Sequence, residues 1–191
     1  FPTRRSSDLM AGTVPMPRKQ TARDSRAMEG MDCMTLAMPM TILAAVWLRV
    51  IRMPGCRVVL ADVSEAALRL CKQNVRRNEL NARVTCVQAD ALEPPDAALW
   101  DFDVIACNPP YIPTGDIAGL DVSVRDYEPR STLDGGADGL DFYRAIAARW
   151  GAALRLGGAL LFEVGIGQAG DVGAILAQNQ FEQIQTFQDT Q

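Results

Sequence analysis

From Arg57 onward the chain alternates short apolar runs with amphipathic stretches, which limits the folds open to it more than any other feature. RVVLADV (57–63) is a β-branched run ending in an acid, as expected of a parallel strand buried on both faces. Ser64 then predicts a helix cap, and Ala67, Leu68, Cys71 and Val75 fall on one apolar face behind it. Glu65 in the first turn suits the helix dipole. RVTCVQAD (83–90) and FDVIACN (102–108) predict two further strands. A loop rich in Gly, Pro and Asp follows, then a helix over 138–154 and a turn at Gly157-Gly158. ALLFEVG (159–165), a helix over 168–179 and FEQIQTF (181–187) complete the series. Strands separated by helical stretches of this length imply βαβ units, and so an α/β fold with a doubly wound, mostly parallel sheet.

Ligands of such sheets bind at the carboxyl ends of the strands, where Asp62, Asp90, Asn108 and Glu163 all fall. Asp62 can accept both hydroxyls of a ribose, or it can form a turn or cap. Asp90 is placed to accept from an exocyclic amine. The tetrapeptide Asn108-Pro109-Pro110-Tyr111 is more specific. Two prolines fix φ and give up two donors, forming a rigid corner that cannot extend a sheet. The Asn108 side-chain oxygen and the Pro109 carbonyl then offer two acceptors, which suit an –NH2 group, and Tyr111 can stack on a planar amide or base. Such a grip steers the nitrogen lone pair and offsets the charge growing on it as it attacks. A purely structural double-proline turn is the other reading.

Composition narrows the chemistry. The chain has 191 residues with 48% hydrophobic and 22% charged side chains, reading as soluble and globular, long enough for a sizeable core. It contains no histidine, which excludes His-based triads, His-containing zinc sites and an imidazole proton shuttle. Its five cysteines (33, 56, 71, 86 and 107) show no C-x-x-C spacing, so they read as small buried hydrophobes in a reducing compartment. No metal is expected. LAMPMTILAAVWL (36–48) is too short to cross a membrane and predicts a buried helix around 41–52.

A seam divides the chain near residue 53. All eight methionines lie between residues 10 and 53. Residues 1–55 carry eight Lys/Arg against four Asp/Glu, net +4, whereas residues 56–191 carry eleven against nineteen, net −8. FPTRRSSDL (1–9) reads as the translation of a sequence resembling the end of a common sequencing-library adapter. Residues 1–53 are therefore expected to be an artefactual or misread segment, poorly ordered, and 54–191 a partial catalytic domain.

The strand-end Asp62 and Asp90 with NPPY at 108–111 resemble the class I S-adenosylmethionine-dependent methyltransferases that act on planar amino groups. VRDYEPRSTLDGGADGLDFYR (124–144) followed by GGALLFEVGIGQ (157–168) resembles, more narrowly, the release-factor glutamine methyltransferases. Members methylate the side-chain amide of the GGQ glutamine in peptide-chain release factors. The resemblance covers about residues 54–189 and implies a Rossmann-like fold, S-adenosylmethionine as methyl donor and SN2 transfer with no metal. It assigns Asp62 to the cofactor ribose, Asp90 and the Ala91 backbone to adenine, and Asn108 and Pro109 to the substrate amide. Pro110 and Tyr111 shape its slot, and Glu128-Pro129 and Glu163 support the site. A cytoplasmic monomer acting on a release factor, without direct DNA binding, follows. The alternatives are a nucleic-acid amino methyltransferase, which should carry a basic face, and an inactive gene fragment.

Three family parts are expected to be missing. The glycine-rich cofactor loop, D-x-G-x-G-x-G, should lie some 20 residues before Gly55, yet only Gly12 and Gly30 precede Gly55. The N-terminal helical domain has no room, and the chain stops where a last antiparallel strand would follow. The sheet is thus expected to be incomplete at both ends, lacking its first strand and prone to aggregate.

Overall fold

A computed structural model describes residues 8–14, 32–36 and 55–188. The strands are β1 (Asp8–Thr13), β2 (Asp32–Leu36), β3 (Arg57–Asp62), β4 (Val84–Gln88), β5 (Phe102–Cys107), β6 (Leu154–Val164) and β7 (Glu182–Gln188). The helices are α1 (Glu65–Arg77), the short α2 (Val122–Arg125), α3 (Asp141–Trp150) and α4 (Ala169–Gln178). The strands form one sheet in the order β4-β3-β2-β5-β6-β1-β7. Neighbours from β4 to β6 pair in parallel, and β1 is antiparallel to both β6 and β7. The expected doubly wound, mostly parallel α/β architecture is therefore what forms, and the elements from Arg57 on lie close to their expected positions.

Two strands were not foreseen. The slot beside β3 is filled by Asp32–Leu36, which pairs with β3 on one side and β5 on the other. The antiparallel slot expected after Gln191 is filled by Asp8–Thr13. The sheet thus crosses the compositional seam. Both segments are short and poor in β-branched residues, so nothing local marks them. What defines them is the row of backbone donors and acceptors that the neighbouring strands present, which must be paired once buried. The helix expected over 41–52 lies outside the described residues.

The Gly157-Gly158 pair is no turn between elements but an irregularity inside β6. Phe102 pairs with Leu154, yet Val104 pairs with Ala159, so β6 carries extra residues there. Gly157 has φ 78°, and a Cβ on Gly158 would stand 3.0 Å from the Phe102 carbonyl oxygen. The helix before it ends at Trp150, earlier than expected, and a 3-10 turn over Gly151–Ala153 leads directly into the strand.

Among the described residues, two apolar clusters pack on the sheet. Tyr143, Ile146, Ala147 and Trp150 make the buried face of α3 at helical spacing and pack with β5, β6 and α4 in the larger core. The smaller one, under α1, gathers Cys56, Val58, Leu60, Val75, Leu80 and Val84, with Cys33, Cys71 and Cys86 at its margin. Burial pushes the Cys71, Cys86 and Cys107 thiols above their usual range, as for small hydrophobes and not nucleophiles.

Candidate functional site

The strand order reverses between β2 and β5: β3 and β4 lie on one side of β2, and β5 and β6 on the other. Crevices at such switch points, outside the carboxyl ends of the strands, are where open α/β sheets bind ligands. The register sets Leu36, the last residue of β2, beside Ala61 on one flank and Cys107 on the other. The carboxyl end of β2 therefore lies between the strand ending in Asp62 and the strand leading to Asn108.

Asp62 and Asp90 both take the turn-forming role open to such residues. The Asp62 carboxylate accepts from the Ser64 backbone amide at 2.7 Å, and that of Asp90 accepts from the Leu92 amide at 2.9 Å. One oxygen of each is thereby fixed in a turn just beyond the end of its strand. Ser64 caps α1 as expected, accepting from the Ala67 amide at 3.3 Å. Ala91 is buried, and its carbonyl accepts from the Trp150 indole at 3.1 Å. Trp150 is fully buried, so its N–H must find an acceptor, and the one it finds anchors the Asp90-Ala91 strand end.

Asn108 is the one buried polar residue among those described, at 5% exposure, and Pro109 and Pro110 are buried beside it. Its side-chain Nδ2 has no hydrogen-bond partner. Leaving a buried amide nitrogen unpaired costs about 1–3 kcal/mol, so the group points to a ligand for its use. Beneath the corner lies Tyr143, fully buried, edge-on to Phe162 at 5.1 Å between ring centres, its hydroxyl donating to the Glu163 carbonyl at 2.9 Å. Burial above all, with Cys107, Tyr111 and Glu163 adding to it, raises the Tyr143 pKa and keeps the phenol neutral.

The segment after the corner is held from outside by the glycine-rich loop. The Ile112 amide donates to the Leu133 carbonyl at 3.0 Å, the Gly135 amide to Ile112 at 2.9 Å, and the Thr114 amide to Gly136 at 2.8 Å. Asp134 accepts from the Thr114 hydroxyl at 2.6 Å, from the Gly136 amide at 3.1 Å and from Arg130 at 3.1 Å. Those contacts, the Thr114 hydroxyl first, lower its pKa. A Cβ on Gly135 would meet the Pro110 oxygen at 2.8 Å, so only glycine fits where the two segments cross. LDGGADGL thus braces NPPY through backbone contacts.

Arg144 closes the far end of this loop by pairing with Asp138 and Asp141. The guanidinium, above all by hydrogen bonding, lowers the Asp138 pKa from 3.8 to about 2. A carboxyl depressed in the folded state stabilises fully above its unfolded pKa and loses that contribution as pH falls through the folded value. Amide protection of Leu140, whose N–H donates to Asp138 at 3.1 Å, is therefore expected to fall between about pH 4 and pH 2. Hydrogen exchange followed against pH, with Asp138→Asn as the pH-insensitive control, measures this.

Asp62, Asp90, Ala91 and Asn108–Tyr111 thus share one edge of the sheet. Glu128 does not join them by any described side-chain bond. It is exposed in the outer loop, its amide donating to the Val124 carbonyl at 3.0 Å. Pro129 caps a 3-10 turn, and Glu163 meets the site through its backbone carbonyl. Sequence reasoning assigned no role to Tyr143, Trp150 or Asp134. The signals were faint: an aromatic with a polar tip on a buried helix face, and an acid before paired glycines.

Residues 41–120 match the family described as Methyltransferase small domain. Curated relatives extend the likeness. The release factor glutamine methyltransferase of Geobacter sulfurreducens is 44% identical over 140 residues, 72% of this chain and 47% of that protein. That of Moorella thermoacetica is 45% identical over 116 residues, 61% of this chain and 40% of that protein. That of Clostridium acetobutylicum is 39% identical over 132 residues, 69% and 46% respectively. The chain spans about half the length of the curated relatives it matches. No helix among the described residues is long and apolar enough to cross a membrane. The resemblance read from the motifs therefore holds along most of the chain, which is a relative of the release factor glutamine methyltransferases, matched over the part of them that it spans.

Proposed function

We propose that the site belongs to an S-adenosylmethionine-dependent enzyme that methylates the side-chain amide of the GGQ glutamine in peptide-chain release factors. The single observation that carries this reading is the buried, unpartnered Asn108 amide at the switch point of the sheet. A carboxamide has an –NH2 beside a carbonyl, and Asn108 offers an acceptor and a donor from one plane to match them. The Pro109 carbonyl would accept a hydrogen bond from the second N–H of the –NH2. Pro110 and Tyr111 shape the slot, with the Tyr111 ring lying against Gly165, where a Cβ would meet it at 2.9 Å. Pairing both protons aims the nitrogen lone pair and spreads the charge that develops on it, so no general base is needed in the attack.

The residues present fit the nucleoside half of the methyl donor. Asp62 would hold the ribose hydroxyls, and Asp90 with the Ala91 backbone would hold the adenine. Bound there, S-adenosylmethionine supplies an electrophilic methyl group. The methionine half is less well served: no glycine lies between Gly30 and Gly55, although the D-x-G-x-G-x-G motif of the family depends on close backbone approach to the cofactor. Isothermal titration of the 191-residue chain is accordingly expected to give a weak dissociation constant for S-adenosylmethionine. Placing a D-x-G-x-G-x-G sequence across the end of β2 should tighten it by about tenfold or more. Equal affinity with and without the glycines contradicts this prediction.

The function itself is tested by incubating the chain with labelled S-adenosylmethionine and, separately, a release factor, DNA and RNA. Label is expected on the GGQ glutamine alone and at a low level, because the glycine-rich cofactor loop is missing. Label on nucleic acid instead would favour an amino methyltransferase acting on bases, which the net charge of −8 over residues 56–191 opposes. No labelling and no cofactor binding would mark an inactive fragment. A release factor as partner, a monomeric state and a cytoplasmic location are part of the same proposal.

A further inference from the structure

We infer that Gln168 is the positioning residue of the Asn108–Tyr111 corner. Its Nε2 donates to the Tyr111 carbonyl at 2.9 Å and to the Gly139 carbonyl at 3.4 Å, while its Oε1 accepts from the Gly165 amide at 3.0 Å. The Gln168 backbone amide donates back to the Gly165 carbonyl at 3.1 Å. One half-buried side chain thereby spends both donors and an acceptor on three segments: the corner, the glycine-rich loop, and the turn that ends β6.

The surroundings are built to admit it. A Cβ on Gly165 would stand 2.7 Å from the Gln168 Oε1, and one on Gly139 would stand 2.8 Å from its Nε2. The Gly139 Cβ would also overlap the Tyr111 carbonyl oxygen, and φ at Gly139 is +76°. Two glycines therefore clear the space in which this amide reaches the Tyr111 carbonyl. Gly167, at φ +83°, makes the turn that starts α4 at this point, with Gln168 as its N-cap residue. Pro109 and Pro110 have no backbone N–H to anchor the corner, so neighbouring residues must supply the donors and acceptors that the prolines lack. The Tyr111 carbonyl is one such anchor, and Gln168 supplies both the bond and, through Gly165, the surface against which the Tyr111 ring lies.

A side chain that only fills space would tolerate any residue of similar shape. Gln168 instead needs a donor at one end and an acceptor at the other, and a panel of variants separates the two. Gln168→Glu keeps the acceptor for Gly165 but turns a carboxylate toward two carbonyl oxygens. Once protonated, it can donate again, and burial beside carbonyls raises the pH at which this happens. Gln168→Met keeps the shape and has neither group.

Hydrogen exchange at the Ile112 amide, next to the Tyr111 carbonyl, reads the corner without reference to catalysis. At about pH 8, both variants are expected to lose protection there relative to the parent chain. At about pH 5 Gln168→Glu should recover toward the parent value at the same pH, and Gln168→Met should not. The role in transfer rests on the proposed function. Under it, kcat toward the release factor falls by about tenfold or more in both variants, with the dissociation constant for S-adenosylmethionine unchanged. The Glu variant regains kcat on acidification. Unchanged Ile112 protection in both variants, or equal loss in both at both pH values, overturns the positioning role. Acid-reversible loosening of Ile112 in a chain that transfers no methyl group upholds the clamp and tells against the proposed function alone.

Discussion

Replacing Asn108 with leucine is expected to lower methyl transfer by about a hundredfold to a thousandfold while leaving the thermal midpoint unchanged or slightly raised. Ordinary core substitutions do the reverse. The difference lies in the unpartnered Nδ2: Asn108 is buried at 5% exposure, and no protein group repays the lost hydration of that nitrogen. Leucine has a similar branched outline and no polar atom, so the folded state gains up to about 1–3 kcal/mol of relieved desolvation, offset by imperfect packing. Transfer suffers because the acceptor and donor that would fix the substrate amide are both gone. Calorimetric melting and a labelled-methyl assay on the same preparation measure the two effects. A lower midpoint together with an unchanged rate would show that Asn108 is a structural turn residue, the reading its sequence left open.

Trp150→Ala has the largest expected effect on stability. The indole is fully buried at the end of α3, and removing it should cost about 3–5 kcal/mol, a large share of the roughly 5–15 kcal/mol that holds a domain together. A second loss is local. The Ala91 carbonyl, bonded to the indole at 3.1 Å, is left buried without that donor. Trp150→Phe separates the two, since it keeps most of the apolar volume and removes only the N–H, for about 1–3 kcal/mol. Urea unfolding should rank the chains parent, Phe, Ala. The Phe variant should also weaken cofactor binding more than its stability loss alone explains, because Ala91 follows the acidic strand end proposed to hold adenine.

The two substitutions show how differently the site was legible. Asn108, Asp62 and Asp90 stand at the ends of strands whose apolar, β-branched composition is visible within seven or eight residues, so their common edge follows from the alternation. NPPY is conspicuous because proline removes donors wherever it stands. Trp150, Tyr143 and Gln168 carry no such local mark. Each acts through a bond to a backbone carbonyl distant in the chain, 59 residues away for Trp150 and Ala91, 57 for Gln168 and Tyr111. Only the folded chain brings those carbonyls within reach. Cys107 shows the converse: burial and a raised pKa agree with the small hydrophobe that its isolated spacing suggested.

The glycine-rich loop lies between these cases. Its likeness to a family segment was readable, but its use was not. The backbone bonds from Ile112, Gly135 and Thr114 show it gripping the segment after Tyr111, with Asp134 tying both sides. The loop supports the corner from behind, and Glu128 stands exposed on its outer side.

By itself the sequence determined the βαβ series from Arg57 onward, the acidic strand ends and the two-proline corner, because periodicity, capping and the missing proline donors act over a few residues. The tertiary structure decided which segments complete the sheet. DLMAGT and DCMTL show no strand pattern, yet they become β1 and β2 because β6 and β7 on one side, and β3 and β5 on the other, offer backbone groups that burial obliges to pair. It also decided that the Asn108 amide is buried with its Nδ2 unpartnered while Gln168 is fully engaged, since whether a polar group is satisfied depends on what the rest of the chain brings within reach of it.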